Sequence, residues 1–442
     1  MKAELFKDEL SGSEMYHAML STGMNAYFLP LSSDVKILMF HLFTKFGGID
    51  ARFRMPETGK VVEVENGTAH FLEHCAFYDP TGQHALIEFY KKGVAANAWT
   101  LFDHTTYHFS SAGTNTRKNL DFLVDFVTTP YLTDAVVAKE QGVIAQEIAM
   151  YHDDPNWVQE ENLRQALFQE HPFRRSLGGD KSAIMRITKE YLQFAYGTFY
   201  HPSNLNFVVF APSKNGMKDA VKYFMLMDNL CAKKGFSQKQ APDYIYTDEP
   251  VEVAQKKIVD WHKVPEPLIS IGFKGNMSIK GSPYERMRTD VLNDLLAKAL
   301  FSKSSEAVYK LAEAGVIRGG AFSGDYSSGR GFGMFSVGGS TDDCDRFTEG
   351  VISMIREQVR GKLPRELFET LKEAKISEAA KQKELEKPEN LEGFIITSLA
   401  AGLNPMDAMK VLMDISYEDV LEAGKRYLDT DNYSVAIMNP RK

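Results

Sequence analysis

Cysteine is scarce in this chain, and its placement excludes more than its number does. The three thiols, Cys75, Cys231 and Cys344, lie far apart, and none belongs to a C-x-x-C pair. That spacing argues against a disulfide framework and against a thiolate metal site, and free thiols fit a reducing compartment. Long apolar runs are also missing. No stretch approaches the roughly 20 residues that a membrane-spanning helix needs. Charges interrupt every apolar stretch of residues 1–9, so no signal-peptide core is expected and a cytoplasmic location is. Positive charge is in deficit: the net charge is −8, which gives no reason to expect nucleic acid or an anionic membrane as a partner.

What is present is ordinary for a soluble globular protein, with 44% hydrophobic and 25% charged residues. A chain of 442 residues has room for two or three domains and a large core. The sequence also resembles itself. Ile187-Thr188-Lys189-Glu190-Tyr191-Leu192 is similar to Ile415-Ser416-Tyr417-Glu418-Asp419-Val420. Asn204-Leu205-Asn206-Phe207-Val208-Val209-Phe210-Ala211-Pro212 is similar to Asn432-Tyr433-Ser434-Val435-Ala436-Ile437-Met438-Asn439-Pro440. Both matches hold at one offset, 440 − 212 = 228 residues, and each copy reads as helix, turn at Asn, then a strand closed by Pro. Two tandem homologous domains follow: 1–228, a linker at 229–250 where the apolar period is lost, and 251–442. In the first copy, strands are expected at 26–31, 35–44 and 105–110, and helices at 67–78, 118–128, 134–151 and 157–170. Without strict βαβ alternation, this mixture predicts an α+β fold, an antiparallel sheet packed with helices.

The chemistry concentrates in His70-Phe71-Leu72-Glu73-His74. His70 and His74 are four apart and share a helical face. Two neutral imidazoles at that spacing grip Zn²⁺, with Glu73 beside them as proton carrier for a water activated by the metal. This is H-x-x-E-H, the reverse of H-E-x-x-H. The helix is expected to start near Asn66 or Thr68, both good caps, and to stop before Pro80. A catalytic site needs a third protein ligand. The helix at 134–151 offers Glu140 and Glu147 on an apolar stripe of Val136, Val143, Ile144, Ile148 and Tyr151. Seven residues rise about 10.5 Å, so one carboxylate is the ligand and the other an outer partner; spacing alone does not choose between them. His84, His104, His108, His152, His171 and His201 read as surface or loop histidines.

These residues resemble the M16 family of zinc peptidases, the pitrilysin, insulin-degrading and mitochondrial processing group. The resemblance spans nearly the whole chain. It is nearest to the bacterial YmfH-like branch, through Gly67-Thr68-Ala69-His70-Phe71-Leu72-Glu73-His74, Gln146-Glu147-Ile148 and Phe199-Tyr200-His201-Pro202-Ser203-Asn204. The family pattern implies Glu147, 73 residues after His74, as the third metal ligand, and Glu140 as an outer partner. It further implies that Asn97 and Ala98 lie on an edge strand that pairs with the substrate backbone. The fold implied is two like domains facing each other across a chamber, the second without a metal motif. One departure stands out. Where the family carries Leu-Arg-Glu-x-Gly-Leu-x-Tyr, this chain reads Leu311-Ala312-Glu313-Ala314-Gly315-Val316-Ile317-Arg318, with Ala312 and Arg318 at the Arg and Tyr positions. The resemblance therefore implies a zinc endopeptidase for short or unfolded peptides, with leader or precursor processing as one role. It also implies the zinc-bearing half of a heterodimer whose homologous partner supplies the Arg/Tyr pair, a homodimer being the other arrangement. The competing reading is a catalytically silent structural or peptide-binding subunit.

Overall fold

The computed structural model describes residues 2–441 apart from Pro80, Gly319, Glu386 and Lys387. Four strands open the chain: β1 (Glu4–Lys7), β2 (Glu14–Met19), β3 (Asn25–Leu31) and β4 (Leu38–Thr44). Two short ones follow, β5 (Arg52–Arg54) and β6 (Val61–Glu63). Helices α1 (Thr68–Ala76) and α2 (Ala85–Lys91) lead into the hairpin β7 (Ala95–Thr100) and β8 (Thr105–Ser111). Then come α3 (Thr116–Thr128), α4 (Asp134–His152), α5 (Pro155–Leu167), α6 (Lys181–Arg186) and α7 (Lys189–Phe199), followed by β9 (Leu205–Pro212), α8 (Gly216–Lys233) and β10 (Asp243–Tyr244). The rest of the chain gives β11 (Lys257–His262), β12 (Leu268–Lys274), α9 (Pro283–Phe301), α10 (Glu306–Glu313), β13 (Ser323–Gly329) and β14 (Phe332–Ser340). It closes with α11 (Cys344–Glu357), α12 (Arg365–Leu385), α13 (Pro388–Ala400), α14 (Ala408–Asp414), α15 (Tyr417–Tyr427) and β15 (Ser434–Pro440).

The main sheet of the first half has the order β1-β2-β3-β9-β4-β8-β7, and that of the second half β11-β15-β12-β14-β13. Both are antiparallel except for one parallel pair each, β3 with β9 and β11 with β15. The repeat explains the symmetry. At the offset of 228, α7 falls on α15 and β9 on β15, and both helices are capped by a hydroxyl, Thr188 on the Tyr191 amide and Ser416 on the Asp419 amide. β9 is central and almost wholly buried, which its apolar run Phe207–Pro212 requires. On β4 and β8 the two-residue period sends Phe40, Leu42, Tyr107 and Phe109 into one helix-covered core.

By internal packing the chain forms two units. One comprises the chain up to Ile148, Ser176–Tyr246 and Gln382–Ala401; the other comprises Ala149–Arg175, Thr247–Lys381 and Gly402 onward. These units differ from the contiguous blocks 1–228 and 251–442. Helix α5 counts with the second unit because it packs on β12 and β15. Gly272 makes room for it: a Cβ there would come within 2.7 Å of Leu167 Cδ1. The expected linker differs as well, since α8 continues to Lys233 and Asp243–Tyr244 pair with β5 in the first unit. No helix among the described residues is long and apolar enough to cross a membrane.

Candidate metal centre

Helix α1 has two faces with separate tasks. Phe71, Leu72 and Cys75 are buried against β7 and β8, and Phe71 and Leu72 contribute roughly 1.5–3 kcal/mol each by leaving water. The opposite face carries His70, Glu73 and His74, all half-buried. The start of the helix differs from expectation. The cap is Gly67, in the left-handed region at φ 84°, rather than Asn66 or Thr68. Glycine is needed there twice over, since a Cβ would also come within 2.6 Å of the Gly178 carbonyl oxygen. Asn66 instead donates to the Ser176 carbonyl, and the Thr68 hydroxyl donates to that of Glu65. Pro80, expected to bound the helix, lies outside the described residues; α1 ends at Ala76.

Helix α4 brings its carboxylates to this face. Its buried stripe is Val136, Val137, Glu140, Ile144 and Ile148. Val143, expected on that stripe, is 41% exposed, because the i, i+4 ladder from Val136 to Ile148 passes it by. The His70 and His74 Nε2 atoms stand 3.2 Å apart. Glu147 Oε2 is 3.3 Å from His74 Nε2 and 3.7 Å from His70 Nε2. Three donors around a tetrahedral zinc, with bonds near 2.0–2.1 Å, stand about 3.3–3.4 Å apart. The spacing and chemistry of this trio therefore suit such an ion, and two imidazole nitrogens turned toward each other otherwise need a proton between them.

Glu140 lies on the far side of His74. The His74 Nδ1–H donates to Glu140 Oε2 at 3.0 Å, which turns Nε2 toward His70 and Glu147. Tyr78 OH donates to the other Glu140 oxygen at 2.5 Å. Burial disfavours charge on His74, but the hydrogen bonds to Glu140 and Glu147 outweigh it, and its pKa rises to about 9. Burial, helped by the neighbouring His74, pulls His70 down to about 4. Burial would raise Glu140, yet its bonds from His74 and Tyr78 hold it below the usual carboxylate range. Glu73 is pushed up, chiefly by burial, against the opposing bond from Thr100. That Thr100 hydroxyl donates to Glu73 Oε2 at 2.7 Å.

Thr100 ends β7, the last strand of its sheet, so among the described residues one length of β7 backbone has no strand beside it. Asn97 and Ala98 lie on β7, paired inward with His108 and Tyr107. Ala312 lies in α10. Arg318 is engaged by Glu266 and Asp342. The roles of Thr100 and Tyr78 were not read from sequence. Tyr78 carried a signal, standing four residues beyond His74; Thr100 reaches Glu73 only through the fold. Two histidines read as surface or loop residues are buried: His104, beside Asp103 at 2.7 Å, and His171.

Comparison with known proteins identifies the family. The family described as Insulinase (Peptidase family M16) matches residues 57–181, and Peptidase M16 inactive domain matches residues 186–375. The uncharacterized zinc protease YmfH of Bacillus subtilis is 32% identical over 439 residues, covering 97% of each chain. Mitochondrial-processing peptidase subunit beta of Neurospora crassa is 25% identical over 389 residues, covering 83% of this chain and 78% of that one. The crystal structure of an M16-like peptidase from Alicyclobacillus acidocaldarius superposes with a TM-score of 0.86 at 28% identity, covering 100% of this chain and 99% of that one.

Proposed function

The chain belongs to the M16 peptidase family, and from that premise we propose that it is a zinc-dependent endopeptidase acting on short or unfolded peptides. The observation that carries the reading is the His70, His74 and Glu147 trio at zinc-compatible spacing, with Glu73 anchored beside it. The relatives named as zinc proteases support the choice of ion. His70, His74 and Glu147 would hold the zinc, which when bound would supply Lewis-acid chemistry toward water and the peptide carbonyl. Glu73 takes the proton of the attacking water and later gives it to the leaving amine, so the C–N bond breaks without releasing a free amide anion. Thr100 holds the carboxylate of Glu73 in one orientation. The open edge of β7 at Asn97 and Ala98 receives the substrate as an added strand, through main-chain hydrogen bonds that do not read sequence. A cytoplasmic setting belongs to the same proposal, supported by three cysteines that form no disulfide.

Glu140 acts through His74. Glu140→Gln is expected to weaken zinc binding by roughly 10–100-fold without abolishing it, read by competition against a chelating dye. Unchanged affinity would remove Glu140 from the site.

We also propose that this chain is the zinc-bearing half of a pair. Ala312 and Arg318 stand where the family pattern has Arg and Tyr, and Arg318 is already engaged by acidic neighbours. One relative is itself named as a subunit. The test is a peptide-library digest with metal quantification, run on the chain alone and mixed with homologous chains encoded nearby. Faster cleavage by a mixture is expected; equal rates would discard the pairing and leave the peptidase reading standing.

A further inference from the structure

A second cluster of metal-ligating side chains lies on the opposite face of the same sheet. Strand alternation puts it there: His41 sits between Phe40 and Leu42 on β4, and His108 between Tyr107 and Phe109 on β8, so both histidines point away from the core that those four residues enter. β4 and β8 pair in register, His41 opposite His108, and the two rings stack with centroids 5.1 Å apart. Glu392 on α13, in the same unit, brings Oε2 to 3.3 Å from His41 Nε2. Ligand atoms of all three residues lie within 4.8 Å of one another.

His41 is fully buried, yet neither of its ring nitrogens makes a hydrogen bond among the described residues, nor does His108 Nδ1. A buried polar atom left unmatched is costly. An ion pair between His41 and Glu392 would employ one nitrogen and leave the other His41 nitrogen and His108 Nδ1 unmatched. A cation engages both imidazoles and the carboxylate together. Trp99 and Phe210 pack edge-to-face with His41, ring centroids 6.1 and 5.7 Å away.

We propose that His41, His108 and Glu392 form a second site for a borderline divalent cation such as zinc, distinct from the His70, His74 and Glu147 trio. Two nitrogens and one oxygen suit such an ion better than calcium or magnesium, which take oxygen. Its role is structural: it ties α13 to β4 and β8.

The test uses the full-length chain loaded with Co²⁺, dialysed, and read by bound-metal count and visible absorption. Wild type is expected to hold two equivalents, His70→Ala/His74→Ala one, and that variant with Glu392→Gln added none. His108→Gln in the same background gives an independent second reading. The proposal is overturned if the double variant holds no ion, or if its remaining equivalent survives Glu392→Gln with circular dichroism unchanged. Neither result bears on the peptidase reading, which rests on the other trio.

Discussion

Glu73→Gln is expected to keep the zinc of the His70, His74 and Glu147 site and lose cleavage by about 10²–10⁴-fold, the usual contribution of a positioned general acid–base. That corresponds to roughly 3–5 kcal/mol of barrier. The amide fills the same space and still accepts from Thr100 through its oxygen, so the fold and the ion have no reason to change. What is lost is a group able to take a proton. Single-turnover cleavage of a quenched peptide, with bound metal measured on the same sample, checks both halves. Full turnover by the variant would remove Glu73 from its role. The wild-type enzyme also has a pH signature. On the proposed mechanism the base works only as carboxylate, and burial raises its pKa, so the rate is expected to fall as pH drops through that raised value.

His70→Ala would remove a proposed ligand rather than a proton carrier. It is expected to lose one metal equivalent relative to wild type and all measurable cleavage. The loss of affinity should exceed the roughly 10–100-fold cost of removing an outer partner. Binding also moves protons, and their direction follows from the two imidazoles. His74 holds its proton up to about 9 and His70 only to about 4 in the ion-free chain. At neutral pH zinc therefore meets one charged and one neutral ring and must displace about one proton. Affinity should fall as pH falls. Calorimetry in buffers of different ionisation heat counts that proton; a count of zero would mean that His74 does not meet the ion through Nε2.

The sequence carried much of this site because its parts are local. His70, Glu73 and His74 share a helical turn, and Glu140 and Glu147 lie on one later helix. Helices expected at 118–128 and 134–151 appear as α3 and α4 within two residues of either bound. The repeat was legible because both copies keep one spacing. Features made by non-local pairing were not. Thr100 meets Glu73 only because β7 lies along α1. His41 and His108 are 108 − 41 = 67 residues apart in sequence and become neighbours through strand register alone. Gly67 displaced the expected caps because a close approach by Gly178, unreadable from nearby residues, leaves no space for a side chain.

The assignment of residues 382–401 to the first unit reaches into biosynthesis. Domains generally fold in order as they leave the ribosome. Here the opening unit cannot acquire its last helix until translation has passed Ala401, after most of the chain has emerged. During that interval the outer side of β4, with His41 on it, waits for the helix that packs against it.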